Sequence, residues 1–143
     1  MGLREEHLIM SAWFLKKAKE LYKSVSNADK EEDVCGLYML SSTSLLLSFD
    51  HAIKAFIAKY YPEKLEIGRT ERMKLFFKNE IVYSLNEYEI RTLDIVYKIL
   101  ETRNCIVYLS KETYLTDVRE KGLNELNKQL KEANNAINII TRL

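Results

Sequence analysis

Residues 33–62, DVCGLYMLSSTSLLLSFDHAIKAFIAKYYP, decide the fold that we predict. No charged residue lies between Asp33 and Asp50, and the apolar residues of this run face most directions around a helix. A helix that is apolar on most sides is typically buried. The uncharged run is also shorter than the roughly 20 residues that a membrane span needs. We therefore predict a buried central helix over 33–61, which ends before Pro62 because proline disfavours helical backbone in the preceding residue.

The composition of the chain is typical of a helical globular protein. Hydrophobic residues make up 47% and charged residues 30% of the 143 residues, which is the balance of a folded domain. Only four glycines and one proline are present, so few tight turns can be built from them. This favours long helices, and the length fits a single domain over residues 1–143.

Further helices are predicted from apolar residues that recur every three or four positions. They cover 4–25 and 70–77, and a last one starts near Thr116. Another starts near Asn86, where Glu89 three residues later predicts a capping box. The segment 78–85 is left open between a helical turn and a brief extended stretch. The last helix has a narrow apolar seam of Leu123, Leu126, Leu130, Ala133, Ile137 and Ile140. We predict an all-α, up-and-down bundle of four to five helices with a long final helix.

The charges and cysteines exclude several classes of protein. The chain has 22 Lys and Arg residues and 21 Asp and Glu residues. It therefore lacks the overall basic excess that is typical of proteins that bind duplex nucleic acid. Cys35 and Cys105 form no C-x-x-C spacing, and no His/Cys cluster accompanies them, which argues against a structural zinc site. We predict no metal, no cofactor and no membrane association. Reduced thiols favour a cytoplasmic location.

Only one short segment carries recognisable chemistry, Arg103-Asn104-Cys105-Ile106-Val107-Tyr108. The helix that starts near Asn86 has an apolar stripe of Ile90, Leu93, Tyr97, Leu100 and Val107. If this helix continues through the segment, Asn104 lies on that stripe and Tyr108 shares its face. Buried polar groups need partners, because an unpaired one costs about 1–3 kcal/mol. We therefore expect this face to border a cleft or a second chain, or to be satisfied by other residues of the fold.

Two segments resemble the HEPN family of helical domains. Residues 50–57, DHAIKAFI, resemble its second-helix signature, and residues 103–108 resemble its Arg-polar-x-x-x-His motif. Tyr108 stands where the family has histidine. The resemblance implies a two-fold homodimer, with RNA or a nucleotidyltransferase as a further partner in toxin–antitoxin or defence systems. Active members are metal-independent ribonucleases, in which Arg103 would bind the scissile phosphate and Asn104 would orient the site.

The loss of the histidine favours a role without catalysis. A tyrosine titrates near a pKa of ~10 and is a poor base at neutral pH, although it can donate a hydrogen bond or stack on a base. We therefore predict a dimeric interaction or RNA-associated module. A metal-independent ribonuclease is the alternative. The motif alone gives no confident catalytic residue.

Candidate site residues fall into two further groups. Arg69, Arg72, Lys74 and Lys78, together with Arg103, are candidates for RNA binding, with a solvated charged face as the alternative. Asp50, His51 and Lys54 are candidates for supporting the motif, with a solvated or interface face as the alternative.

Overall fold

The structure, a computed structural model, describes the backbone of residues 2–107 and 111–143, and their side chains except at 26 and 103–126. Six helices occur among these residues. They are α1 (Leu3–Asn27), α2 (Glu31–Tyr60), α3 (Arg69–Lys78), α4 (Glu80–Tyr83), α5 (Glu87–Val107) and α6 (Lys111–Arg142), with a short 3-10 turn at Pro62–Lys64. The predicted all-α bundle with a long final helix is confirmed.

Helix α2 is the centre of the bundle, as its apolar run predicts. It packs against α1, α3, α5 and α6. Phe49, Ile53 and Ile57 are almost completely buried, and burial of each such side chain contributes roughly 1.5–3 kcal/mol. None of the helices in the described ranges has an apolar stretch long enough to cross a bilayer.

Helices α1 and α2 form a close antiparallel hairpin. The hydroxyl of Ser48 donates to the carbonyl of Ser11 at 2.6 Å, and that of Ser11 donates to the carbonyl of Ser48 at 2.8 Å. Further along, the hydroxyl of Ser41 donates to the carbonyl of Ala18 at 3.1 Å. These small side chains allow the two backbones to approach and bond directly. The resulting register decides which residues of α1 face which residues of α2.

Two details differ from the sequence prediction. The open segment 78–85 contains the helical turn α4, so the extended alternative is wrong. The side chain of Asn79 explains this, because its Oδ1 accepts a hydrogen bond from the amide of Ile81 at 2.8 Å and caps the turn. The last helix begins at Lys111 rather than near Thr116, since strong helix formers such as Lys111 and Glu112 extend it before the seam starts.

Two other predicted features of the helices are confirmed. The capping box is present, with the amide of Glu89 donating to Asn86 Oδ1 at 2.8 Å and the amide of Asn86 to Glu89 Oε1 at 3.3 Å. In the seam of α6, the members from residue 130 onward are buried, while the side chains of Leu123 and Leu126 lie outside the described residues.

Candidate functional site

The two histidines of the chain meet across the α1–α2 hairpin. His7 Nδ1 lies 3.0 Å from His51 Nδ1. The ring centroids are 5.2 Å apart, close to this distance plus the two ring radii, so the contact runs nearly in line. Phe14 stacks on His51 at 5.6 Å with an interplanar angle of 13°. A hydrogen bond between two such nitrogens requires one to donate and the other to accept.

An ion pair lies immediately beside this histidine pair. Asp50 precedes His51 on α2 and is only 4% exposed. Arg69, the first residue of α3, places its Nη2 at 2.6 Å from Asp50 Oδ2. Burial raises the pKa of Asp50 more than the charge and hydrogen bond of Arg69 lower it. The pair thus joins α3 to the central helix.

Two further cations act on the same region. Lys54 lies three residues after His51 on α2, and therefore on the same helix face. Arg72 lies one turn after Arg69 on α3, where its Nη1 donates to the carbonyl of Ile67 at 2.6 Å. Burial lowers the pKa of Lys54, and the charge of Arg72 lowers it further. Burial also lowers the pKa of Arg72.

The charges of Lys54 and Arg72 act on both histidines. Burial lowers the pKa of His51 to about 4, with contributions from Lys54, His7 and Arg72. The pKa of His7 is lowered by burial first and by Lys54 and Arg72, while the exposed Glu6 opposes the shift. Both rings are therefore neutral near pH 7. A neutral imidazole carries one N–H donor and one acceptor nitrogen.

We call His7, His51, Lys54 and Arg72 the polar cluster. It combines two cations and two neutral imidazoles, and Asp50 beside it pairs with Arg69. Positive charge and N–H donors at one place suit a phosphate or another oxyanion. The same positive charges oppose binding of a metal cation at the imidazole nitrogens.

A groove of about 540 Å³ lies between α3 and α5. Its lining residues are Thr70, Met73, Lys74, Phe77 and Lys78 on α3 and Asp94, Tyr97, Lys98 and Glu101 on α5. Of these lining residues, Tyr97 interacts electrostatically with the Asp50–Arg69 ion pair, because the charges of both partners influence the pKa of its hydroxyl. Burial and a hydrogen bond with Glu101 raise that pKa.

The structure separates the candidate residues predicted from the sequence. It brings Asp50, His51, Lys54, Arg69 and Arg72 together. It places Lys74 and Lys78 at the groove instead, where Lys74 is paired with Glu71 at 3.7 Å. The backbone of Arg103 and Asn104 belongs to α5, but their side chains, and all of Tyr108, lie outside the described residues.

Sequence reasoning missed His7. It belongs to no motif and is distant in sequence from the other candidates. The signal that could have found it is the short connection between α1 and α2, because a hairpin with a short loop makes the helices antiparallel neighbours. The serine contacts then define the register that brings His7 to His51.

Comparisons of the chain with protein families, with curated proteins and with solved structures find no match.

Proposed function

We propose that this chain is an RNA-associated helical module that holds a phosphate of RNA at the polar cluster. The observation that carries the proposal is the direct contact between His7 and His51, on which the charges of Lys54 and Arg72 act to keep both rings neutral. Arg72 can donate several hydrogen bonds from its planar fork, and Lys54 adds a mobile ammonium. The imidazole N–H groups supply further donors without requiring protonation.

The neighbouring groove supports RNA over an isolated anion. Phe77 and Tyr97 line it, and aromatic side chains stack on unpaired bases with little sequence preference. Lys74, Lys78 and Lys98 also line it, and each can contact the backbone of a strand. A single strand with one phosphate at the polar cluster and bases along α3 would use both features. The HEPN resemblance of residues 50–57 and 103–108 points to the same class of ligand.

Binding of labelled single-stranded RNA, titrated against salt in EDTA, tests the proposal. We expect Arg72→Ala to weaken binding about tenfold, which is the loss expected for a charge-assisted hydrogen bond. The slope of log affinity against log salt concentration should become less negative by about 0.7, which is the value for one phosphate contact to a single strand. Thermal unfolding of the variant accompanies the titration, because Arg72 also bonds the carbonyl of Ile67.

Arg91→Ala is the matched control. It removes one positive charge from α5, where Arg91 is paired with Glu87 and its side chain is 69% exposed. We expect its affinity and salt slope to equal those of the wild type. An equal effect of the two substitutions would contradict a site at the polar cluster, and no binding of the wild type at low salt would overturn the proposed function.

We also propose that two copies pair through α1. Ile9 and Trp13 on this helix are 53% and 54% exposed, and Leu3 and Met10 are exposed nearby. Large exposed apolar patches commonly mark interaction surfaces. This patch lies on the helix that carries His7, so pairing through it would place the polar clusters of two copies near the interface.

A further inference from the structure

We propose that the polar cluster binds the terminal phosphate of an RNA strand, a phosphate monoester, in preference to the phosphodiesters within the strand. The inference rests on the proposed function, because it names the kind of phosphate that this site takes. A phosphate monoester carries a charge of about −1.5 to −2 at pH 7 and has three strong acceptor oxygens. A phosphodiester of the backbone carries a single negative charge and has one free oxygen fewer. The two kinds of phosphate therefore differ in charge and in the number of acceptors.

Three cations share a single carboxylate at this place. Burial raises the pKa of Asp50, and the charges of Arg69, Arg72 and Lys54 all act to lower it. The same carboxylate is the one whose charge acts to raise the pKa of Lys54 and that of Arg72. Three positive charges against one negative charge leave an excess of two. A ligand with close to two negative charges would neutralise this excess.

Lys54 and Arg72 carry the charge that is left for a ligand. Arg69 pairs with Asp50 at 2.6 Å, but neither Lys54 nor Arg72 forms an ion pair with a carboxylate among the described residues. Both are partly buried, whereas the exposed Lys98 has a carboxylate partner at 2.8 Å. A partly buried cation without a counter-ion loses hydration and gains no compensating attraction. A bound anion would supply that attraction.

The two free cations act on one place. The charge of Arg72 acts on Lys54, and both charges act on the same two imidazoles. The guanidinium is held near the start of α3, because its Nη1 donates to the carbonyl of Ile67 at 2.6 Å. One doubly charged phosphate between the cations would relieve their mutual repulsion. Two successive phosphodiesters would each offset only one charge and would repel each other.

The histidine pair adds one further donor. In the contact between His7 Nδ1 and His51 Nδ1, the ring that accepts the hydrogen bond must carry its own proton on Nε2. The nearly in-line contact points the two Nε2 atoms away from each other, so a given phosphate can face only one of them. An oxyanion there selects the tautomer in which that Nε2 donates. A guanidinium, an ammonium and an imidazole N–H thus match the three free oxygens of a phosphate monoester.

The groove between α3 and α5 gives the rest of the strand a place to bind. Thr70 follows Arg69 and Met73 follows Arg72 in the sequence, and both Thr70 and Met73 line this groove. Tyr97 also lines it and acts electrostatically on Arg72. Aromatic rings stack on unpaired bases. A strand whose terminal phosphate lies at the polar cluster would therefore have its first bases near an aromatic side chain.

Binding of one single-stranded RNA sequence with different ends tests the inference. Internally labelled oligonucleotides carry a 5′-phosphate, a 3′-phosphate, hydroxyls at both ends, or a 5′-phosphate with a methyl ester, and are compared in EDTA at constant ionic strength. We expect one phosphorylated RNA to bind at least about tenfold more tightly than the hydroxyl RNA, as for one hydrogen bond to a charged group. Comparison of the 5′- and 3′-phosphates identifies the end. The methyl ester is a phosphodiester at the strand end, so it should bind like the hydroxyl RNA if the 5′-phosphate is preferred.

Lys54→Gln and Lys131→Gln are matched variants, because each replaces one lysine with an uncharged side chain. Lys54→Gln removes one of the two free cations, so we expect the preference for the phosphorylated end to be lost, a change of about tenfold. Lys131 lies on the exposed face of α6, and its variant should keep both the affinity and the preference of the wild type. A merely structural role of Lys54 would weaken the binding of all four RNAs alike and would leave the preference unchanged.

The outcomes separate the choice of phosphate from the site itself. Equal wild-type affinity for phosphorylated and hydroxyl RNA overturns the inference and leaves the proposed function standing, as does a preference that Lys54→Gln retains. A methyl ester that binds as tightly as a preferred 5′-phosphate would overturn selection by charge. A phosphoserine peptide that competes as strongly as the phosphorylated RNA would overturn the assignment to an RNA end. Absence of RNA binding at low salt overturns both proposals. Circular dichroism checks the folding of each variant, and the wild-type comparison needs no substitution.

Discussion

Arg69 Nη2 lies 2.6 Å from Asp50 Oδ2, and the two partners of this ion pair are buried unequally. The side chain of Asp50 is 6% exposed, whereas that of Arg69 is 35% exposed. Removal of the arginine would therefore leave a carboxylate in the protein interior. Removal of the carboxylate charge would leave a guanidinium that still reaches water. The two partners should respond differently to substitution.

We predict that Arg69→Ala destabilises the fold and that Asp50→Asn does not. Breaking a buried pair costs about 3–5 kcal/mol, and partial exposure of Arg69 should reduce this to about 2 kcal/mol. Asp50→Asn should leave the free energy of unfolding unchanged or raise it, because burial already raises the pKa of Asp50 and favours the uncharged form. Urea denaturation at pH 7 measures both. Equal destabilisation by the two substitutions would contradict this account.

The part of the fold that could be predicted from the sequence depends on local patterns. The capping box of Asn86 and Glu89 needs only residues three apart, and the burial of α2 needs only its own apolar run. Each pattern is complete within one element, so it can be recognised before the tertiary structure is known. These predictions are confirmed.

The candidate site needed information that no single element contains. His7 and His51 are 44 residues apart in sequence, and their contact depends on the register of the α1–α2 hairpin. Asp50 and Arg69 meet only after the chain turns between α2 and α3. Arg69 and Arg72 were candidates because of their charge, and Asp50, His51 and Lys54 because of the family resemblance of residues 50–57. The grouping of these residues around the histidine pair follows from packing.

The histidine pair should make stability depend on pH. The pKa of His51 is lowered to about 4 in the fold, whereas an unfolded histidine titrates near ~6.5. The fold therefore prefers neutral His51. Its contribution to stability is fully present above pH ~6.5 and is lost as pH falls from there to about 4. Lowering of the pKa of His7 acts in the same direction.

Chemical denaturation across this pH range measures the effect by difference. The free energy of unfolding of the wild type minus that of His51→Gln should decrease as pH falls from ~6.5 towards 4. Above pH ~7 the difference should be constant. The subtraction removes the titration of groups that the substitution leaves unchanged. A difference that is flat, or that increases on acidification, would contradict the neutral state assigned to His51.

Close packing of α1 on α2 predicts a steep dependence on side-chain size at Ser48. This residue is completely buried, and its hydroxyl bonds the carbonyl of Ser11. Ser48→Ala should cost about 1 kcal/mol for the lost hydrogen bond. Ser48→Leu should add about 1–3 kcal/mol because the leucine overpacks the interface. Ser24→Leu on the exposed side of α1 is the control, and equal unfolding midpoints for the two leucine variants would refute tight packing here.

The exposed patch on α1 predicts a dimer that depends on Trp13. A glutamate at this position would lose its hydration when two copies pair and would gain no opposite charge. Trp13→Glu should therefore give a monomer where the wild type is a dimer. Light scattering after size exclusion at micromolar concentration measures this. Tyr88→Glu, at an aromatic residue of α5 that is 75% exposed, should leave the dimer intact. Trp13 is the single tryptophan of the chain, so its emission should also shift to shorter wavelength as the protein is concentrated. A monomeric wild type, or a Trp13→Glu variant that remains dimeric, would exclude pairing through this surface.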